Sequence, residues 1–212
     1  MMEKIVEGIY KRLFRSMFKK RIDFVEEGGI YKATRGTKSW YIPSNDRTQA
    51  VWVLNFMSLH ERYLDALQKG DTVIEVGTAT GEYTIPAAKK IGRDGQIHAF
   101  EVEPMSYLCL KKNLALNNLV NVKPVNRAAS DKSNKSLWLS FRKGGLADAS
   151  FHRQAPEKIL VKTISLDDYA TSIGMEKVNV LKVTINGHEP EVVKGAKNLL
   201  GGGGEKRYIP VR

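Results

Sequence analysis

Cysteine is almost absent from this chain: Cys109 stands alone in 212 residues. An internal disulfide and a multi-cysteine metal site are thereby excluded, and a reducing cytoplasm is the expected compartment. Long apolar runs are missing too, and none approaches the roughly 20 residues that cross a bilayer. The opening Met1-Met2-Glu3-Lys4 has charges recurring through it, which does not suit a signal peptide. His60, His98 and His152 are scattered without metal-ligand spacing, so no metal centre is expected. Acids are few beside bases, 23 Asp and Glu against 34 Lys and Arg, for a net charge of +11. That excess favours an anionic partner: nucleic acid, an acidic lipid surface or a phosphorylated substrate.

What is present centres on Gly70 to Thr84. The β-branched run Thr72–Val76 predicts a buried strand, followed by Gly77, three small residues, Gly81 and a helix over 82–91. This strand, glycine turn and helix N-terminus offer free N–H groups, and glycines at 77 and 81 allow a ligand to lie on the backbone. The spacing G-x-x-x-G is not the dinucleotide fingerprint, and no Gly-Lys-Ser/Thr of a phosphate-gripping loop follows. Glu75 puts a carboxylate before the loop, where a cationic ligand is served. Glu101 ends the next candidate strand, 96–101, where an acid takes the hydroxyls of a ribose. A nucleoside with a positive, amine-bearing tail and no pyrophosphate fits these parts, which points to S-adenosylmethionine.

The rest of the chain divides into an N-terminal extension, residues 1–69, and an α/β domain, residues 70–212. Residues 3–22 form a basic amphipathic pattern with Ile5, Ile9, Leu13 and Met17 on one stripe. Two readings stay open for it: a helix lying on an anionic membrane, or one packing its stripe on the domain. A β-hairpin is expected over 28–43, its aromatics Tyr31, Trp40 and Tyr41 flanking a substrate entrance or serving packing. A helical pattern covers 46–68. Beyond the glycine turn, strand 96–101, helix 104–117 and strand 121–126 continue a βαβ rhythm. In that helix Leu108, Ala115 and Leu116 are expected to face inward, and Pro124 suggests an edge strand. Strands are expected at 136–141 and 158–165, separated by a polar loop or lid over 142–157. A short helix over 166–173, a buried strand over 178–185, one helix from His188 to Leu200 and a last strand over 207–211 complete the reading.

Four blocks in order resemble the FkbM family of S-adenosylmethionine-dependent methyltransferases. They are Glu75-Val76-Gly77-Thr78-Ala79-Thr80-Gly81-Glu82-Tyr83-Thr84, Ala99-Phe100-Glu101-Val102-Glu103-Pro104 with the run at 110–117, Thr163–Asp168, and Leu181-Lys182-Val183-Thr184-Ile185-Asn186-Gly187-His188-Glu189. The resemblance implies a doubly wound, mostly parallel, Rossmann-like sheet with the cofactor at its strand ends. It implies that Glu75, Gly77 and Gly81 cradle the methionine end, with Thr78, Ala79 and Tyr83 beside them. Glu101 and Val102 would border the ribose, and Asn126 to Ala128 the adenine. Relatives of this kind are associated largely with O-methylation of sugar-like or polyketide hydroxyls.

Two departures stand out. Thr184 and Asn186 occupy the positions of the family's acidic pair, so His188 or Glu189 is left to take an acceptor proton while Thr184 and Asn186 orient the hydroxyl. The resemblance also implies further strands beyond the fifth, which would leave 207–211 as an open edge through which a homodimer is expected. Three functions follow: an O-methyltransferase on a small hydroxylated, anionic acceptor; an RNA methyltransferase; or a non-catalytic binding module that kept the cofactor pocket.

Overall fold

A computed structural model describes residues 22–44, 53, 61–142, 145–201 and 207–210. The basic stretch 3–22 and most of the helical pattern over 46–68 lie outside the described residues, save Ile22, Val53 and the part beyond residue 60. Among the described residues, no helix is long and apolar enough to cross a membrane.

The central sheet is parallel and five-stranded. It contains β4 (Thr72–Val76), β5 (Gln96–Phe100), β6 (Val122–Val125), β11 (Val180–Val183) and β12 (Arg207–Pro210), in the order β12-β11-β4-β5-β6. The inner strands are near-continuous apolar runs because helices cover both faces. β6 is an edge, as Pro124 suggested, and β12 is the opposite edge.

Helix α1 (Glu61–Asp65), α2 (Thr84–Ile91) and α3 (Pro104–Leu116) belong to one face; α4 (Leu166–Ser172), α5 (Glu189–Lys194) and α6 (Lys197–Gly201) belong to the other. Glu103 caps α3: its carboxylate accepts from Met105 N and Ser106 N at 3.1 and 2.6 Å, and Pro104 takes the first turn. The buried face of α3 is Ser106, Cys109, Leu110, Asn113 and Leu114, not the expected Leu108, Ala115 and Leu116, which are exposed. Asn113 decides that phase. Its side chain accepts from Tyr41 N and donates to the carbonyls of Tyr41 and Thr80, so a polar residue owns the inner face.

The expected hairpin has a third strand. β1 (Asp23–Glu27), β2 (Ile30–Arg35) and β3 (Lys38–Pro43) form an antiparallel sheet. β1 reads as polar because four of its five residues are exposed. Trp40 is buried and donates to Thr80 Oγ1 at 2.9 Å, and Ala33, Trp40 and Ile42 share one core with Val73, Ile85 and Leu110. Trp40 therefore serves packing and anchors the extension beneath the glycine loop, while Tyr31 and Tyr41 are half-buried.

A second, four-stranded sheet follows, order β7-β10-β8-β9, built from β7 (Ala128–Ala129), β8 (Ser136–Arg142), β9 (Gly145–Ser150) and β10 (Glu157–Ile164). The polar loop expected over 142–157 thus contains a strand, β9, antiparallel to β8. Its glycines and small residues hid the alternation that marks a strand. The single helix expected from His188 to Leu200 is two helices. Gly195 caps the first of them, and no side chain fits there, because a Cβ would overlap the Ser130 carbonyl oxygen.

Candidate active site

The carboxyl ends of β4, β5 and β11 open into a cleft enclosing about 820 Å³ of non-atom space, its mouth included. Its floor is the glycine turn and the end of β5, with Gly77, Ala79, Glu101 and Val102 among the lining residues. Its far wall comes from the end of β11 and the end of β9, with Thr184, Asn186, His188 and Ser150.

The floor is drawn together by Glu101. The carboxylate accepts from Ala79 N at 2.7 Å and from Glu103 N at 2.9 Å. Burial pushes its carboxyl up to about 8, although the two N–H groups oppose that shift. Ala79 itself has φ 46°, which turns its N–H toward the acid. Gly77 is required for a different reason from ligand approach. Its φ is 81°, and a Cβ there would overlap the Thr184 carbonyl oxygen at the end of the neighbouring strand. The same contact seats Thr184 at the cleft, where its Oγ1 is enclosed and has no hydrogen-bond partner among the described residues.

Several expected site residues stand elsewhere. Glu75 is fully buried on the other face of β4 and does not line the cleft. It accepts from Thr84 Oγ1 at 2.5 Å and shares its pocket with Lys182, whose Nζ lies 4.2 Å from the Tyr83 ring centre. Strand alternation explains this: Glu75 points to the face opposite Ile74 and Val76. Tyr83 covers that lysine, which burial pushes below its ordinary range while Glu75 acts against the shift. Thr78 is buried with its hydroxyl on the Phe100 carbonyl, and Gly81 packs on Leu110. Asn126 donates to the carbonyls of Glu101 and Val102, so it braces the floor from outside, whereas Ala128 does line the cleft.

On the far wall, Asn186 lines the cleft but donates to the Ala149 carbonyl at 2.9 Å, and Ser150 donates to the Asn186 carbonyl. It is a tie between the two sheets. Glu189 is half-buried and does not line the cleft. His188 does. Its Nε2 meets Ser130 Oγ at 3.1 Å and its Nδ1 meets His152 Nε2 at 3.1 Å. Burial lowers its pKa, with Glu191 acting the other way. Sequence reasoning included Arg127, an exposed guanidinium on the cleft lining, only within the segment expected at the adenine, and missed the pairing of His152 with His188. A basic residue directly before β7 was visible; the histidine pair, 36 residues apart, was not.

Residues 75–202 match the methyltransferase FkbM domain, more than half of the chain. The chain belongs to the FkbM methyltransferase family. S-adenosylmethionine is its cofactor, and the residues present fit it: an acid ends β5 beside a turn whose backbone faces the cleft. Among relatives, hexuronic acid methyltransferase AglP of Haloferax volcanii is 30% identical over 138 residues, 65% of this chain and 54% of that protein. A tRNA (guanine(37)-N(1))-methyltransferase of Candida albicans is 26% identical over 145 residues, 66% of this chain and 29% of that one. The chain thus spans between about three tenths and about half the length of these relatives. A solved SAM-dependent O-methyltransferase from Thermotoga maritima covers 87% of this chain and 56% of its own at 17% identity, with TM-score 0.45.

Proposed function

We propose that this FkbM-family methyltransferase moves a methyl group from S-adenosylmethionine to a hydroxyl oxygen of an anionic, sugar-like acceptor. The observation that carries the reading is a single cleft joining Glu101 to the enclosed, unpartnered Thr184 hydroxyl, with Arg127 on its lining. Bound there, S-adenosylmethionine supplies an electrophilic methyl group on a cationic sulfur. Glu101 accepts from ribose hydroxyls, and Gly77 and Ala79 bring backbone within reach of the amino-acid end. Val76, Phe100 and Leu139 line the cleft with apolar surface and exclude water. Thr184 Oγ1, once turned into the cleft, orients the acceptor hydroxyl, whose proton passes to water at the open mouth as the new carbon–oxygen bond forms and the carbon–sulfur bond breaks. Methyl transfer is an in-line displacement, so this alignment is itself a large part of the catalysis.

Arg127 favours an anionic acceptor, because its charge lines a cleft where Thr184 and Asn186 stand at the positions of the family's acidic pair. The Haloferax volcanii relative is named for a hexuronic acid, an acceptor that is both hydroxylated and anionic. Neither predicted base serves directly: Glu189 is off the cleft, and both ring nitrogens of His188 have protein partners. A second reading, RNA methylation, is favoured by the net charge of +11 and by relatives named as tRNA methyltransferases.

The test offers methyl-labelled cofactor with uronic-acid glycans in one reaction and total tRNA in another, at two salt concentrations. Label in the glycan supports the proposal. Label in tRNA alone, with strong salt dependence, overturns it in favour of the second reading. Tight S-adenosylhomocysteine binding with no label in any fraction of cell extract would make the protein a binding module.

A further inference from the structure

His152 follows β9, His188 precedes α5 and Glu191 is its third residue, so the second sheet and the break after β11 bring three metal-ligating side chains together. His152 Nε2 is 3.1 Å from His188 Nδ1, and His188 Nδ1 is 3.7 Å from Glu191 Oε2. All three ligand atoms lie within 4.8 Å of one another. Nitrogens and oxygens bound at about 2.0–2.2 Å to one tetrahedral ion stand roughly 3.3–3.6 Å apart, so small side-chain adjustments would seat an ion.

The hydrogen bonds around the cluster set its polarity. Ser130 Oγ donates to Asp131 Oδ1 at 3.2 Å, so it accepts the N–H of His188 Nε2. The lone pair of His188 is then on Nδ1, aimed at the cluster, with Ser130 and Asp131 orienting the ring as outer partners of metal-bound histidines do. Glu191 Oε2 faces the same point. It is enclosed and has no hydrogen-bond partner among the described residues, and Lys194 approaches only the other oxygen, at 3.9 Å. An imidazole lone pair and an enclosed carboxylate oxygen converge there with a second imidazole nitrogen. A hydrogen bond from His152 to His188 satisfies the two rings and leaves Glu191 Oε2 without a partner; a cation satisfies all three.

We propose that His152, His188 and Glu191 bind a divalent transition-metal ion of the zinc class at the edge of the cleft. Two imidazoles and one carboxylate suit that class better than magnesium or calcium, which take oxygen donors. His188 lines the cleft and His152 is exposed, so the ion has a path from solvent. Three protein ligands leave a position for water or for the acceptor oxygen, whose proton the ion makes easier to lose. That use rests on the methyl-transfer reading above; the binding of the ion does not.

The experiment titrates the full chain, stripped by a chelator, with Zn²⁺ by calorimetry, and records the visible absorption of Co²⁺ bound in its place. One equivalent should bind. His152→Ala, at an exposed position, and Glu191→Gln should each weaken it by at least 10–100-fold and alter the Co²⁺ spectrum, while S-adenosylhomocysteine binding stays as in wild type. No Zn²⁺ binding at micromolar concentration, or equal affinity in both variants, would overturn the site. If zinc binds and the cofactor does not, the ion site stands and the methyl-transfer reading falls; the opposite pattern removes the ion site alone.

Discussion

The floor and the far wall of the cleft are built by different rules. The floor comes from β4, the glycine turn and the end of β5, all within residues 72–103, and its key bonds run from Glu101 to backbone 22 and two residues away. The far wall joins β9 to the end of β11, and its bonds run from Asn186 to Ala149 and from His188 to His152, 37 and 36 residues apart. The floor is a local motif that a parallel sheet presents by its own geometry. The far wall exists only because a second sheet is folded over the first. In the proposed reading, cofactor recognition rests on the local element and acceptor choice on the assembled one.

Gly77 is where the two meet, so the strongest way to break the contrast is Gly77→Ala. A side chain at φ 81° against the Thr184 carbonyl should cost about 3 kcal/mol or more, by urea unfolding, and damage both walls together. Little change in the unfolding midpoint would mean that the walls are not joined there.

His98 gives a similar magnitude through pH. Burial lowers its pKa to about 4, with Lys123 adding to the shift, while its ring bonds Tyr169 OH at 2.7 Å. The unfolded chain takes up this proton near 6.5 and the folded chain does not, so stability is full above that value and falls as pH drops towards 4. The whole interval is worth about 3 kcal/mol. Unfolding measured at pH 7 and pH 4.5 should show that slope, and His98→Gln should flatten it. Because His98 lies under the sheet, cofactor affinity at pH 7 should survive the substitution.

Glu101→Ala should weaken S-adenosylhomocysteine binding by about 1.5–3 kcal/mol in calorimetry, since it removes charge-assisted bonds to the ribose. Wild-type affinity should also rise with pH, by up to about tenfold per unit, and flatten above about 8, where the buried carboxyl is ionised. Glu101→Gln should lose that dependence. A flat wild-type profile would mean that the ribose is held by other groups.

The smallest effect sharpens the far-wall side. Arg127→Ala should raise the KM for an anionic acceptor by about threefold to tenfold, consistent with about 1 kcal/mol for an exposed charge contact. Cofactor affinity should not move. An equal effect on a neutral acceptor would assign Arg127 to packing instead.

The two halves of the cleft were also unequally legible. Glycine spacing and the acid at residue 101 marked the floor, because strand, turn and helix follow one another within a few residues. Glu75 stands beside the loop in sequence, but strand alternation turns its carboxylate to the opposite face of β4, onto Thr84. Leu108 and Leu116 were assigned inward by apolarity, but Asn113 buries its amide to hold Tyr41 and Thr80, and a satisfied polar group outranks a leucine.

Periodicity and spacing alone determined that this chain makes a parallel α/β sheet with a ligand turn after β4, since these features depend on neighbours along the chain. Only the tertiary structure decided that β9 is a strand, that Gly195 caps one helix and a second follows, and that His152 meets His188 and Glu191. For the last two the physical reason is separation. The contacts of His152 with His188 and of Gly195 with Ser130 close loops of tens of residues, while β9, close to β8 in the chain, carries small residues that give no alternation.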